Sequence, residues 1–218
     1  MKRLTVIALI LVLIGSCLFA LDSAEINSFD RLAVRNYNRN LDRTATALQV
    51  ATMLTPAVLL SESPDQYVTI GVMYLETQLL TWGTTELLKA VVDRPRPYMY
   101  HDDYPKAKVD SGDWDDSFPS GHTATSFAGA SFASYVFWKY NPDSKWRIPV
   151  TAFSYSLALT VAALRVAGGS HFMTDVLAGA LIGTAIGIGV PALHTLFADE
   201  DTTVSVSPFG LAISWRYK

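Results

Sequence analysis

The chain is organised around one stretch, Ser117-Phe118-Pro119-Ser120-Gly121-His122-Thr123, which leads into an apolar segment that ends at Trp138. A Pro-Ser-Gly turn that enters a helix leaves the first N–H groups of the helix free, and glycine lets an anion approach them closely. Ser120 is suited both to cap the helix and to donate a hydrogen bond from its hydroxyl. His122 then lies on the first turn. The stretch therefore predicts either an anion cradle beside a histidine or an ordinary helix cap with a surface histidine.

Four further apolar segments have the length of helices rather than of strands. They cover residues 45–60, 67–92, 148–167 and 176–197. In the last of them, Gly179, Gly183 and Gly187 are spaced four apart, which allows close helix packing. The tail alternates apolar with small or polar residues on both sides of Pro208-Phe209-Gly210, a pattern typical of a β-hairpin.

These patterns predict an all-α, multi-helix bundle of about five helices, with an N-terminal signal or anchor helix and a short C-terminal β-hairpin. The boundaries that we expect separate a signal or anchor (1–21), a polar segment (22–44), a helical domain (45–198) and a tail (199–218).

Composition favours a membrane protein over a soluble all-α domain. Half of the 218 residues are hydrophobic, 17% are charged, and the mean hydropathy is +0.23. A disordered chain is excluded. Lys plus Arg number 17 and Asp plus Glu 20, a net charge of −3, so no nucleic-acid partner is expected. The single cysteine, Cys17, excludes a disulfide framework and a cysteine metal cluster.

The N-terminus is typical of an exported protein. Met1-Lys2-Arg3 is followed by an uncharged stretch over residues 4–21, which suits a cleaved signal peptide or a retained anchor. Ile14-Gly15-Ser16-Cys17 also looks like a bacterial lipobox, which would make Cys17 a lipidation site. The three alternatives stay open.

If successive apolar segments cross the membrane in alternating directions, their order predicts which loops lie on the same side. The loop over residues 139–147 carries Lys139, Lys145 and Arg147, as a cytoplasmic turn does. The insert over residues 93–122 and the connection over residues 168–175 then lie together on the outer face. These two connections are rich in residues capable of chemistry, so we expect a site there.

Two more clusters flank the central stretch. Pro95 and Pro97 stop the helix that carries Lys89, which leaves Lys89 on its last turn and Arg96 just beyond. Further on, Arg165 precedes His171 and Asp175, which fall on one helix face if a helix starts near Ser170. A carboxylate beside an imidazole fixes its tautomer and supports a positive charge. Taken singly, each cluster also fits an ordinary helix end.

Together the clusters point to a tetrahedral oxyanion, because cations and N–H groups surround two histidines. One histidine can attack while the other protonates a leaving oxygen. A Walker-type loop is missing from the sequence, and no ligand set suggests a metal.

The sequence contains three motifs, Lys89-x6-Arg96-Pro97, Pro119-Ser120-Gly121-His122 and Arg165-x5-His171-x3-Asp175. In order, spacing and residue type, they resemble the three-part signature of the type 2 phosphatidic acid phosphatase superfamily. That superfamily also holds vanadium-dependent haloperoxidases and bacterial class A acid phosphatases. Leu164 departs from the pattern, since the family usually has serine before the third-motif arginine. Arg94-Pro95 offers a competing Arg-Pro pair, but the family spacing selects Arg96.

The resemblance implies a role for each matched position. The implied phosphate-binding residues are Lys89, Arg96, Ser120, Gly121 and Arg165. His171 would attack phosphorus, Asp175 would orient His171, and His122 would protonate the leaving oxygen. No metal and no cofactor are implied.

We therefore expect a metal-independent phosphatase that hydrolyses phosphate mono- or diphosphate esters, above all of membrane lipids, through a phosphohistidine. The candidate substrates are prenyl diphosphates, phosphatidate, phosphatidylglycerol phosphate and lipid A phosphates. The expected location is a bacterial inner membrane with the active site facing the periplasm. The alternatives are a periplasmic or lipid-anchored acid phosphatase for soluble monoesters and a vanadate-dependent haloperoxidase.

Overall fold

The computed structural model of the chain describes residues 26–61, 64–197, 202–207 and 210–215. The predicted signal or anchor (1–21), which includes Cys17, lies outside these residues. The α-helices are α1 (Arg39–Met53), α2 (Tyr67–Val92), α3 (Lys106–Asp110), α4 (Gly121–Tyr140), α5 (Arg147–Ala167) and α6 (Met173–Phe197). Short 3₁₀ turns cover Asp30–Ala33, Thr55–Ser61, Pro64–Gln66 and Pro97–Tyr100. Strands β1 (Thr202–Ser207) and β2 (Gly210–Trp215) follow.

The predicted all-α bundle is confirmed, since each of the five apolar segments contains a helix. The bounds of the first helix were predicted wrongly. Helix α1 begins at Arg39 because the Asn38 side chain caps it, accepting hydrogen bonds from the N–H groups of Asn40 and Leu41. It ends at Met53, and a 3₁₀ turn takes over around Pro56, whose nitrogen has no hydrogen to donate. The short helix α3 within the insert was not predicted.

Helix α4 is the central helix of the bundle. Its residues from Thr123 to Ser134 are all buried, and α1, α2, α5 and α6 pack around it. Most of these residues are Ala, Ser, Thr or Gly, so neighbouring backbones come close. The hydroxyls of Thr125 and Ser134 donate back to main-chain carbonyls of the same helix, which satisfies them inside the bundle.

The closest approach is between α4 and α6, at the glycines spaced four apart. A Cβ atom added to Gly183 would lie 2.1 Å from the carbonyl oxygen of Ala124. At Gly179 and Gly187 it would lie 2.6 Å from the carbonyl oxygens of Ser120 and Ala128. The predicted close packing along this glycine ridge is confirmed.

Among the described residues, two helices are long and apolar enough to cross a membrane, Arg147–Ala167 and Met173–Thr195. Only 28% and 33% of their most apolar windows are buried inside the bundle. Large apolar side chains therefore face outwards, among them Phe153 on α5 and Leu181 on α6. Helix α2 also exposes Leu75, Leu79 and Trp82.

The two connections that were predicted to share a face meet at one end of the bundle. The Arg96 guanidinium in the insert donates to the carbonyl of Ser170, which lies between α5 and α6. Helix α4 begins at this end and finishes at Tyr140, about 30 Å away at a rise of ~1.5 Å per residue. The cationic loop that follows Tyr140 therefore lies at the opposite end. The tail forms the predicted hairpin, with Val204 opposite Ile213 in antiparallel strands.

Candidate active site

His171 lies in the turn before α6, not on the helix itself. Helix α6 begins at Met173, so the expectation that His171 and Asp175 share a helix face is wrong. The reason is local, because the Asp175 side chain accepts a hydrogen bond from the N–H of Phe172 at 2.8 Å and so closes the turn ahead of the helix. The imidazole is 1% exposed.

The hydrogen bonds of His171 define its tautomer. Its Nδ1 lies 2.7 Å from the carbonyl oxygen of Ser117, which can only accept, so Nδ1 carries the proton. Its Nε2 lies 3.1 Å from Nη1 of Arg96 and 3.2 Å from Nη2 of Arg165, which can only donate. The Nε2 lone pair is therefore free of a proton and faces two guanidinium groups.

Burial lowers the pKa of His171 well below its ordinary value, and the positive charges of Arg96 and Arg165 lower it further. The imidazole is therefore neutral, with an unprotonated Nε2. That is the state in which a histidine acts as a nucleophile.

Asp175 reaches His171 indirectly. Its Oδ2 is 3.7 Å from Nδ1 of His171 and accepts a hydrogen bond at 2.6 Å from the hydroxyl of Ser117. The carboxylate was predicted to fix the tautomer, but the Ser117 carbonyl holds that position. Asp175 thus acts on the imidazole as a nearby charge and through Ser117.

Each of the two arginines at His171 also forms an ion pair with a carboxylate. Arg96 donates from Nη2 to Oδ1 of Asp113 and from Nε to the main-chain oxygen of Asp113, both at 2.6 Å. Arg165 donates from Nη1 to Oδ1 of Asp42. Two planar guanidinium groups anchored in this way keep one N–H each directed at His171.

Lys108 on α3 joins the two carboxylates. Its Nζ lies 2.6 Å from Oδ2 of Asp113 and 3.7 Å from Oδ2 of Asp42. Burial alone would raise the pKa of Asp113, but Arg96 and Lys108 hold it below its usual range. The carboxylate is therefore ionised and able to anchor Arg96.

Sequence patterns missed Asp42, Lys108 and Asp113. Asp42 lies in the predicted polar segment (22–44), and the other two lie in an insert with many charged residues. None of the three has a motif spacing to the predicted site residues. They are recognisable only once α1 and α3 are placed against the motifs.

Lys89 lies beside the glycine of the central turn. A Cβ atom on Gly121 would be 3.7 Å from Nζ of Lys89, so the ammonium group reaches the N-terminus of α4. Lys89 also forms an ion pair with Glu86 at 2.8 Å on its own helix. The first and second motifs thus meet at the same end of the bundle as His171.

Ser120 caps α4 as predicted. Its hydroxyl accepts from the N–H of Thr123 at 3.4 Å and lies 2.9 Å from the Thr123 hydroxyl, and the residue is fully buried. Its role in binding phosphate stays a prediction. His122 projects from the first turn of α4, where its Nε2 lies 3.0 Å from the hydroxyl of Thr46 on α1.

The described part of the chain contains no cluster of three or more His, Cys, Asp or Glu side chains that could hold a metal ion. The positive charge of the site comes from Lys89, Arg96 and Arg165.

This set of motifs at one end of a helical bundle corresponds to a known class of protein. The sequence model of the PAP2 superfamily matches residues 67–198. The match covers more than half of the chain and contains all three motifs, so the chain belongs to the PAP2 superfamily.

Curated relatives share this part of the chain. Lipid phosphate phosphatase 1 of Arabidopsis thaliana is 33% identical over 128 residues, which cover 50% of this chain and 39% of that protein. The Schizosaccharomyces pombe protein named "Probable diacylglycerol pyrophosphate phosphatase 1" is 35% identical over 123 residues, or 46% of this chain and 44% of that protein. The chain thus spans less than half the length of either relative.

A solved structure has the same fold. The crystal structure of Aquifex aeolicus LpxE superposes with a TM-score of 0.54 at 21% sequence identity. The superposition covers 79% of this chain and 99% of that one.

Proposed function

We propose that the protein is a metal-independent phosphatase that hydrolyses phosphate mono- or diphosphate esters of membrane lipids through a phosphohistidine. The observation that carries this proposal is the pair of guanidinium groups facing Nε2 of His171. A phosphoryl group placed against Nε2 meets N–H donors from Arg96 and Arg165. Positioning and charge stabilisation of this kind account for most of the catalysis of phosphoryl transfer.

In the first step, the Nε2 lone pair of His171 forms a bond to phosphorus while the bond from phosphorus to the leaving oxygen breaks. The leaving oxygen takes the electron pair and a proton from His122, which is protonated when the negatively charged phosphate of the substrate lies beside it. The imidazole carries a positive charge once Nε2 is bonded, because Nδ1 keeps its proton against Ser117. Asp175, 3.7 Å from Nδ1, stabilises that charge.

In the second step, the oxygen of a water molecule forms a bond to phosphorus while the bond from phosphorus to Nε2 breaks, and the electron pair of that bond returns to His171. His122, now neutral, takes a proton from that water, and inorganic phosphate leaves. Lys89, Arg96 and Arg165 bind the phosphate oxygens in both steps, with the N–H of Gly121 and the hydroxyl of Ser120 as further donors. The hydrogen bond between the Thr46 hydroxyl and His122 sets the orientation of the His122 ring.

Lipid substrates are supported by two observations. Relatives over the motif region are named as phosphatases of lipid phosphate and of diacylglycerol pyrophosphate. The outer faces of α5 and α6 are apolar and suited to span a membrane, which would bring the site to lipid headgroups. We place the protein in a bacterial inner membrane with the site on the periplasmic side, opposite the cationic loop.

The test is phosphate release by the purified full-length chain in detergent, with a chelator present. Phosphatidate, diacylglycerol pyrophosphate and the soluble ester p-nitrophenyl phosphate are compared. We expect lipid turnover in chelator and an acid-labile phosphoenzyme, both lost in His171→Ala and kept in His194→Ala. His194 is the matched control, because it pairs with Glu76 near the other end of α6.

Loss of activity in chelator that magnesium restores would contradict the metal-independent mechanism. Turnover of the soluble ester without lipid turnover would favour the acid phosphatase alternative.

A further inference from the structure

A chain of three charged side chains lies on the Nδ1 side of His171, away from the two arginines at Nε2. The Arg94 guanidinium joins two carboxylates, with Nη2 at 2.7 Å from Oδ2 of Asp30 and Nη1 donating to Oδ1 of Asp175. Both carboxylates are fully buried, and the Arg94 side chain is 11% exposed. The motifs left Arg94 outside the predicted site, and Asp30 lies in the predicted polar segment (22–44), in which no site residue was predicted.

The charge chain is attached to the turn that presents His171. Oδ1 of Asp30 accepts from the N–H of Thr174 at 2.9 Å, and Oδ2 accepts from the Thr174 hydroxyl at 2.6 Å. Arg94 also donates to that hydroxyl at 2.8 Å. The centre of its guanidinium lies 4.2 Å from the ring centroid of Phe172, which directly follows His171.

The side chains of Asp30, Arg94 and Asp175 together carry a negative charge. Burial alone would raise the pKa of Asp30, but hydrogen bonds from Arg94 and Thr174 hold it below its ordinary value, so Asp30 is ionised. Asp175 is paired with the same guanidinium. Two carboxylates and one guanidinium sum to −1. Without Asp30, Arg94 would cancel the charge of Asp175.

We propose that Asp30 and Arg94 are positioning residues that keep a net negative charge behind His171 during phosphoryl transfer. The inference rests on the proposed function, in which the ring becomes positive as its Nε2 bonds to phosphorus and the leaving oxygen departs with a proton. Arg94 holds Oδ1 of Asp175, which leaves Oδ2 facing Ser117 and His171. Asp30 supplies the second negative charge, which offsets that of Arg94.

The test compares variants that differ in the summed charge of residues 30, 94 and 175. Asp30→Asn leaves a net charge of zero, and we expect kcat to fall about 10-fold to 100-fold with KM unchanged, since the phosphate-binding cations are untouched. The double variant Asp30→Asn/Arg94→Met returns the net charge to −1. We expect its kcat to exceed that of Asp30→Asn by about 10-fold. Arg94→Lys keeps the charge and should stay within about 10-fold of the parent.

A purely structural role makes a different prediction, because the double variant loses more contacts than the single one and should be the less active. The matched control is Asp143→Asn in the exposed loop at the opposite end, which should equal the parent. Rapid-quench trapping of phosphoenzyme shows whether the first step is the one that slows. Thermal unfolding in detergent is recorded for every variant.

The inference is supported if the double variant folds and its kcat exceeds that of Asp30→Asn. If Asp30→Asn does not fold, the inference is supported when the kcat of the double variant exceeds the background rate. It is overturned by parent-like kcat in Asp30→Asn, by a folded double variant no faster than the single one, or by a double variant that does not fold. Failure of the proposed function is recognised separately, since the parent itself would then form no phosphoenzyme.

Discussion

His122 and His171 lie in different surroundings, and so their loss should have different consequences. His171 is buried with its Nε2 against two arginines, whereas His122 is partly exposed and bonded to Thr46. We expect His171→Ala to form no phosphoenzyme, because the variant lacks the ring nitrogen that faces both Arg96 and Arg165. His122→Ala should slow the first step by ~10²–10⁴, as for a general acid.

The leaving group separates the two roles. A general acid matters less when the leaving oxygen is already stable, so the penalty in His122→Ala should be smaller for an aryl phosphate than for an alkyl phosphate. The measurement is kcat/KM for both esters, together with the yield of trapped phosphoenzyme. An equal penalty for the two esters, or a normal phosphoenzyme yield in His171→Ala, would refute these roles.

At the residue scale, motif spacing predicted which groups meet but not what holds them. Arg96, Arg165 and His171 come together as the three motifs imply. The carboxylates of Asp42 and Asp113 that anchor the arginines are fixed by tertiary packing, which leaves no periodic signal in the sequence. The tautomer of His171 is set by a main-chain carbonyl, and every residue has one, so sequence could not identify Ser117.

Helices α4 and α6 approach each other so closely that even a methyl group should not fit at Gly183. A Cβ atom there would lie 2.1 Å from the Ala124 carbonyl oxygen and 2.9 Å from the Ala128 nitrogen, and backbone atoms cannot move aside as a side chain does. We expect Gly183→Ala to destabilise the protein by ~1–3 kcal/mol, as overpacking does.

Gly71 on α2 is the matched control, because nothing lies within 4 Å of a Cβ atom added there. Gly71→Ala should leave stability unchanged or raise it by up to ~1 kcal/mol, since alanine favours a helix more than glycine does. Thermal unfolding in detergent compares the two variants. Equal unfolding temperatures would mean that the glycine ridge does not set the distance between α4 and α6.

At the element scale, composition and periodicity predicted the long helices, because each has an apolar run of helical length. They failed for α3, since its five residues, three of them charged, are too few to show such a pattern. They also misplaced the start of α1, whose first turn is polar and is fixed by the Asn38 cap. Polar residues form helices here where caps and tertiary contacts support them.

At the scale of the whole molecule, the site is assembled from parts of the chain that are far apart in sequence. The segment before α1 supplies Asp30, α1 supplies Asp42, and the insert supplies Arg96. Alternation of helices predicted that the insert would meet the turn before α6. It could not predict that the polar segment near the N-terminus folds over the same end, because that segment contains no motif.

The loop between α4 and α5 is short and cationic, and this predicts how the protein lies in a membrane. The loop after α4 and the start of α5 carry Lys145 and Arg147, and short cationic loops stay in the cytoplasm. Helix α4 spans about 30 Å, close to the thickness of the hydrocarbon core. The site end should therefore face the periplasm.

One cysteine introduced at either end tests this orientation in intact bacterial cells. Asp102→Cys lies exposed in the insert, and Asp143→Cys lies exposed in the loop between α4 and α5. We expect a membrane-impermeant maleimide to label Asp102→Cys in intact cells and Asp143→Cys only after permeabilisation. The parent chain, whose single cysteine is Cys17, provides the blank. The reverse pattern would place the site in the cytoplasm, and labelling of both positions in intact cells would contradict a bundle that spans the membrane between them.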